Sequence, residues 1–505
     1  MENDSGRPRF RMTALIVHGH FYQPPRENPW TGNVEREIGA DPYHDWNERI
    51  HAECYGPNAF AHIIGPQETI ERTVNNYTHI SFNFGPTLFS WLERHHPKTY
   101  ERILDADRES APKRSGHGNA IAQAYGHAIL PLCNERDRKT QVLWGIADFR
   151  YRFMREPESL WLPETACNNK TLDLLIDNNL RFVILAPNQA EAYKLPGSNE
   201  WHSVAHNGID TSRAYKYFHQ DGSGRSMAVF FYNGPVARAI AFEKTLISSQ
   251  ALVELFKQAA ERGPLVNVAT DGETYGHHFK FGDLSLAHAL EIEAPEAGFS
   301  ITNYGEFLDR HPAEAEVQIR QTADGEGTSW SCAHGVGRWD RDCGCHTGGH
   351  PGWNQKWRGP LRSALNFLRD EAAREFEAVG GDLLVDPWKA RNDSIELILD
   401  RHHSRQDFLQ QHASRNLSER DQVRALTLLE MQRNSLLMFT SCGWFFSDIS
   451  GIETIQVMKY AARLIDLLDD LGLPSRHRNF LDILSEAKSN REEMGSGADI
   501  YLRHA

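Results

Sequence analysis

Asp271 closes an apolar, β-branched run. In residues 265–279, LVNVATDGETYGHHF, Leu265, Val266, Val268 and Ala269 lead into Asp271, and Glu273, Tyr275, His277 and His278 crowd behind it. An apolar run of this length, bounded by turn residues, reads as a strand buried on both faces of a parallel sheet. Such a strand delivers its last residue to the carboxyl edge of the sheet, where α/β barrels assemble their sites. Glu164 has the same setting. Ser159-Leu160-Trp161-Leu162-Pro163 runs straight into it, and a helical pattern follows, with Thr165 or Asn168 as cap and Leu172, Leu175 and Ile176 at helical spacing. Two carboxylates, each at a strand exit, suit cleavage of a glycosidic bond. One protonates the leaving oxygen while the other attacks the anomeric carbon or activates water.

The elements that must position these groups alternate along the chain. Strands are expected near residues 14, 80, 120, 160, 183, 229 and 267, with helical patterns between most of them, which implies a mostly parallel sheet of α/β class. The first strand ends in His18-Gly19-His20, a pair that suits either a metal or a sugar hydroxyl. Residues 21–51 hold Pro24, Pro25, Pro29, Trp30, Trp46 and Asn47 in a long irregular segment expected to wall a cleft. Helical patterns are read near 70–75, 88–103, 135–154 and 243–260. Residues 190–226 are polar and irregular and read as an inserted hairpin or loop region. From Gly359 the pattern turns helical over 360–379, 393–399, 406–413, 418–439, 452–471 and 477–488.

With these motifs assembled, the chain resembles glycoside hydrolase family 57 over roughly residues 12–300. WLPE ending in Glu164 and TDGETYGHH containing Asp271 look like the two catalytic motifs of that family. His20-Phe21-Tyr22-Gln23-Pro24 resembles its His-Gln-Pro motif, with Tyr22 where most members carry a histidine. Residues 118–131, with His127, stand where its second motif falls, without the usual glutamate. The resemblance implies an incomplete (β/α)7 barrel followed by a C-terminal α-helical bundle, divided as 1–11 disordered, 12–327 barrel, 328–358 crossover loop and 359–505 bundle. It implies a retaining enzyme on α-1,4-glucans, an amylase, glucanotransferase or branching type, with Glu164 as nucleophile and Asp271 as general acid and base. It also implies that an aromatic, Asp-bearing segment of the bundle closes the sugar cleft, for which Trp444 and Asp448 are the candidates. Together with the motif side chains, the expected substrate contacts are His20, Tyr22, Gln23, His127, Trp161, Glu273, His277, His334, Trp339, Trp444 and Asp448.

Residues 328–357, TSWSCAHGVGRWDRDCGCHTGGHPGWNQKW, stand apart. Cys332, His334, Cys343, Cys345, His346 and His350 could supply a zinc set, but Cys343-x-Cys345 is tighter than the usual knuckle. The loop reads equally well as a carbohydrate-facing surface or a tryptophan-stapled crossover, so neither metal nor cofactor is expected.

Composition narrows the partners. The 505 residues are 40% hydrophobic, ample for a large core, and the net charge of −14 argues against nucleic acid or an anionic membrane as the main partner. Twelve tryptophans suit stacking on sugar rings, although core filling is the commoner role for any single one. Seven cysteines, an odd and scattered set, suit a reducing compartment, and the polar start of the chain has no secretory apolar region, so a cytoplasmic location is expected. The expected partner is a polysaccharide or oligosaccharide. Two other readings remain open. A metal-dependent deacetylase or mannosidase on a related barrel would recruit His18, His20, Asp271 and His277. A silent glycan-binding protein would accommodate the altered first and second motifs.

Overall fold

The computed structural model describes residues 12–65, 67–399 and 404–505. The segment 1–11, expected to be disordered, lies outside the described residues. Strands occur at all seven expected positions: β1 (Thr13–Phe21), β2 (Ser81–Phe84), β3 (Ala122–Gln123), β4 (Leu160–Trp161), β5 (Phe182–Leu185), β6 (Ser226–Phe231) and β7 (Leu265–Asp271). β1 pairs in parallel with β7 on one side, His20 opposite Asp271, and with β2 on the other, His20 opposite Asn83. A bridge from Phe82 to Ala120 leads on to β3, which pairs with β4. A bridge from Ser159 to Phe182 then leads to β5, which pairs with β6. Beyond β6, the Asn233 N–H donates to the Asn267 carbonyl inside β7 at 2.7 Å. Strands consecutive in the chain are thus neighbours in space, as short crossovers demand.

The ladders are short. β3 and β4 hold two residues each, so the described strands form several small sheets rather than one continuous closed ladder. The chain leaves extended geometry early because the motif residues after these strands turn sharply: His127 and Glu164 take left-handed φ values of 52° and 59°. Helix Glu135–Phe153, capped by Asn134, packs directly behind β3. Only glycine permits this approach at position 145, where a Cβ would fall 2.0 Å from the Gln123 carbonyl oxygen.

Several local expectations are corrected. Residues 70–75 are not helical. Ile70–Val74 forms an antiparallel hairpin with Ala61–Ile64, since β-branched Ile70, Thr73 and Val74 favour the pleated strand. The helix expected over 88–103 is two, Pro86–His95 and Pro97–Lys113, because Pro97 can only open a helix. Within 190–226 the hairpin alternative is the one present: Ala190–Lys194 pairs antiparallel with Trp201–Ser203, and Ala214–Phe218 pairs antiparallel with β6. With Ala315–Ile319 they extend the β5–β6 sheet.

Among the described residues two small clusters stand beside two large hydrophobic cores. One lies among the strands and their helices. The other is gathered by the long helices Arg358–Leu383, Glu419–Leu437 and Ile452–Asp470 and reaches back to Trp339. The segment after β1 joins the two halves: the Trp30 indole donates to Asp466, Lys459 pairs with Glu35, and Gln456 donates to the Glu27 carbonyl. No helix among the described residues is long and apolar enough to cross a membrane.

Candidate active site

The floor of the site is a buried polar network at the ends of β1 and β2. His18 and His20 alternate to the same face of β1. His18 bonds Ser81 Oγ and Asn83 Oδ1, both at 3.0 Å. The Asn83 amide donates to His20 Nδ1 at 2.9 Å and to Gln123 Oε1 at 2.8 Å. His20 Nε2 lies 3.2 Å from His127 Nε2, and His127 Nδ1 lies 2.7 Å from Ser441 Oγ. This bonding pattern assigns the tautomers: His20 carries its proton on Nε2 and donates to His127, which carries its own on Nδ1 and donates to Ser441. Burial holds the rings neutral. His18 and His20 are lowered to about 3, by desolvation first and, for His20, by the neighbouring His18, while His127 is lowered by desolvation and His20.

Aromatic rings form the wall. Trp161 stacks on both His18 and His20, each at 4.9 Å between ring centres. Tyr22 lies flat on His127 at 3.7 Å. Trp330 meets Trp161 edge-on at 5.2 Å and Tyr232 at 6.3 Å.

Glu164 follows Trp161 and Pro163 in a single 3-10 turn, and its left-handed backbone aims the carboxyl out of the strand line. Non-glycine residues held in this region cost of order 1–3 kcal/mol and concentrate at functional sites. Its Oε2 accepts from Trp330 Nε1 at 2.9 Å and from Ser331 Oγ at 2.6 Å. Among the described residues Oε1 has no such donor, so one oxygen is anchored and the other is left to react. Desolvation raises the pKa of Glu164, while these two donors and the Arg338 charge oppose the rise. Trp330→Phe removes one donor to the ionised carboxylate. A hydrogen bond to a charged group is worth about 1.5–3 kcal/mol, and 1.36 kcal/mol is one pKa unit. The acidic limb of kcat/KM is therefore expected to move up by about one pH unit in this variant, as measured by a pH–rate profile.

Asp271 sits at the end of β7, beside His20 in register. Its pKa is raised to about 8 by desolvation and by the charges of Glu164 and Glu273. Its side chain nonetheless stays open to the cleft. The repulsion from two carboxylates is therefore the firmer cause in the free protein, and desolvation gains weight once substrate fills the cleft. Glu273 Oε1 accepts from Gln23 Nε2 at 2.7 Å and Tyr55 Oη at 2.8 Å, and Arg26 donates to Gln23 Oε1 at 2.7 Å. That chain fixes the orientation of the Glu273 carboxyl two residues beyond Asp271.

The structure thus brings His20, Tyr22, Gln23, His127, Trp161, Glu164, Asp271 and Glu273 together. Other expected contacts lie elsewhere. His277 pairs with Glu53 and meets Trp46 edge-on. Trp339 is fully buried in the helical core, where its carbonyl receives both bonds from Arg362, so it is corrected to a packing residue. Trp444 is likewise fully buried and stacks over the Arg362 guanidinium at 4.2 Å. Asp448 is buried as a turn carboxylate, accepting from Ser450, Ser489 and the Asn490 N–H. The bundle segment does reach the site, a few residues earlier: the Ser441 N–H donates to the His127 carbonyl. The Cys442 thiol sits against Tyr22, and burial first, then the charges of Glu453 and Glu164, push its pKa up. His334 is drawn into a cluster with Cys332, Cys343 and Cys345; His346 and His350 stay outside it. The ligand set of the deacetylase reading does not assemble: both His18 nitrogens are engaged by Ser81 and Asn83, and His277 is held by Glu53.

Sequence reasoning missed Asn83, Tyr232, Trp330 and Ser331. Asn83 and Tyr232 stand at or just past the ends of β2 and β6, so the strand-exit logic applied to Glu164 and Asp271 would have found them. Trp330 and Ser331 arrive from a distant loop, and no local signal pairs them with Glu164.

Residues 14–320 match the family model described as glycosyl hydrolase family 57, and residues 353–505 match a domain of unknown function, DUF3536. Among solved structures, the chain is similar to an exo-type maltose-forming amylase from Pyrococcus sp. ST04. The TM-score is 0.66 at 16% identity, covering 93% of this chain and 82% of that one. It is also similar to a branching enzyme from Thermococcus kodakaraensis, with a TM-score of 0.56 at 13% identity and 94% of each chain covered. The α-amylase AmyC of Thermotoga maritima aligns with a TM-score of 0.51 at 12% identity over 97% of this chain and 99% of that one. No curated protein matches the chain.

Proposed function

The chain belongs to glycosyl hydrolase family 57, and we propose that it cleaves or transfers α-1,4-linked glucan by a two-step displacement that retains anomeric configuration. The observation that carries this reading is the unlike treatment of two carboxylates. Glu164 is anchored through one oxygen by Trp330 and Ser331, whereas Asp271 is pushed toward its protonated form by its neighbours. A nucleophile must be ionised and aimed, and a general acid must hold a proton near neutral pH. In the first step Glu164 Oε1 attacks the anomeric carbon as Asp271 protonates the departing oxygen. In the second, Asp271 takes a proton from water or an acceptor sugar, which attacks the same carbon and releases Glu164. Glu273 binds a hydroxyl, the buried His20–His127–Ser441 chain supports the floor beneath it, and the partly exposed Trp330, braced edge-on by buried Trp161, offers its ring to a pyranose face.

The fold around this site is read as an incomplete (β/α)7 barrel over 12–327, a crossover loop over 328–358 and a helical domain over 359–505. The amylase and branching-enzyme names of the similar structures support glucan as the substrate class. The free thiols among the described residues suit a reducing compartment, and we place the protein in the cytoplasm.

Incubation with amylose, glycogen and maltoheptaose tests the reading. Release of reducing ends with short products indicates hydrolysis. Redistribution of chain lengths without new reducing ends indicates transfer, and a gain in branch points indicates branching. Unchanged polysaccharide, together with saturable binding, would overturn the catalytic reading in favour of a glycan-binding protein.

A further inference from the structure

Beyond the cleft, the loop that supplies Trp330 and Ser331 contains a second constellation. Cys332 and His334 lie on one turn, Cys343 and Cys345 on another, and the ligand atoms of all four fall within 4.8 Å of one another. Cys332 Sγ is 3.9 Å from Cys343 Sγ, and Cys345 Sγ is 3.4 Å from His334 Nδ1. Around a tetrahedral ion with metal–sulfur bonds of about 2.3 Å and metal–nitrogen bonds of about 2.0 Å, the edges come to roughly 3.8 Å for sulfur–sulfur and 3.5 Å for sulfur–nitrogen. The remaining pairs of ligand atoms lie within 4.8 Å, and these two separations match two edges of that tetrahedron. They do not match a disulfide, whose sulfurs sit about 2.05 Å apart.

We propose that Cys332, His334, Cys343 and Cys345 form a structural zinc site that staples the 328–357 loop beside the cleft. Three thiolates and a tetrahedral nitrogen donor select Zn2+ among the abundant divalent ions. On binding, the three thiols release their protons to solvent, and the completed centre carries one net negative charge. The surroundings suit an anion. Arg358 is buried against the cluster and donates to the Cys345 carbonyl at 2.7 Å. Gly344, between Cys343 and Cys345, takes a φ of 80°, which lets that pair turn back on itself within one residue, and Gly335, directly after His334, takes 77°. The tight Cys343-x-Cys345 spacing is accommodated by Gly344.

The consequence is positional. Cys332 directly follows Trp330 and Ser331, both of which donate to Glu164, so the ion would fix the loop from which the candidate nucleophile is oriented. Four ligands close the coordination sphere, so the site is structural rather than catalytic.

The test is elemental and spectroscopic. The full-length chain, purified without chelator and desalted after incubation with Zn2+, is expected to hold about one zinc per molecule by mass spectrometry. An organomercurial should release that zinc. Replacement by Co2+ should give the strong visible bands of a tetrahedral thiolate site, with a sulfur-to-metal charge-transfer band in the near ultraviolet. His334→Ala is expected to weaken zinc at least tenfold in a chelator competition. Cys343→Ser should lower the charge-transfer intensity in proportion to the thiolate lost, to about two-thirds of the wild-type value per bound ion. If Cys343→Ser fails to fold, the wild-type Co2+ spectrum and thiol count decide alone. Zinc below one-tenth of an equivalent after loading, octahedral pale Co2+ bands, or a Cys332–Cys343 disulfide in the unreduced peptide map would each overturn the proposal. None of these measurements depends on glucan turnover.

Discussion

Glu164→Gln is expected to lower kcat on α-1,4-glucan by on the order of 10^4-fold, with the thermal midpoint unchanged or raised. The side chain keeps its shape. A glutamine oxygen still accepts from Trp330 or Ser331, so the loop remains anchored. What is lost is the anion that forms the glycosyl-enzyme. The stability half follows from linkage. Desolvation raises the pKa of Glu164 in the folded chain, so its stabilising contribution is present below the unfolded pKa and fades as pH rises through the folded one. At neutral pH the wild type holds a partly desolvated carboxylate that glutamine relieves. Such a trade of stability for activity is the usual mark of a functional group. Glu164→Ala sharpens the test. With an activated glucosyl substrate and azide, a single displacement should give the glycosyl azide of inverted configuration. Full activity in Glu164→Gln, with an intact fold, would remove Glu164 from the mechanism.

The sequence showed where chemistry would occur better than it showed what surrounds it. Glu164 and Asp271 were legible because a buried strand ending in a charged residue is costly and rare, and both strands are present where their apolar runs placed them. The periods of the helical half were equally clear, since its helices bury one continuous face. Other features were hidden for identifiable reasons. Residues 70–75 carry apolar groups at helical spacing yet form a hairpin whose partner strand alone makes extended geometry favourable. Trp339 and Trp444 have the composition of sugar platforms, and nothing local distinguishes a stacking tryptophan from one packed around Arg362 in a core, Trp444 by its ring and Trp339 by its carbonyl. The anchoring of Glu164 by Trp330 and Ser331 spans more than 160 residues, and the convergence of Cys332, His334, Cys343 and Cys345 depends on left-handed glycines whose φ no pattern reveals. Long-range polar geometry is set by tertiary closure.

Asp271→Ala is expected to cut turnover of polysaccharide by roughly 10^2–10^4-fold, the range of general acid–base catalysis, while sparing substrates with good leaving groups far more. An aryl glycoside whose phenol leaves without protonation should still load Glu164, and the slow step then becomes release of the intermediate. Azide needs no general base, so it should restore release and give the azide of retained configuration, the product of two successive inversions. Obtaining retention from the Glu164 variant and inversion from the Asp271 variant would exchange the two roles. The pH dependence checks the same assignment. Asp271 is raised to about 8, so wild-type kcat/KM should fall above that pH as the acid loses its proton, and this basic limb should be absent from Asp271→Ala with the aryl substrate. The stability sign is fixed by the same shift. The contribution of Asp271 is fully present below its ordinary carboxylate pKa and is lost as pH rises through about 8. Asp271→Asn should therefore match the wild type in thermal midpoint near pH 4 and exceed it increasingly toward pH 9. Because the side chain is open to the cleft, solvent moderates the size of that gain but not its direction. A midpoint difference independent of pH would mean that Glu164 and Glu273 do not act on Asp271, and the proton it is assigned to carry would have no source.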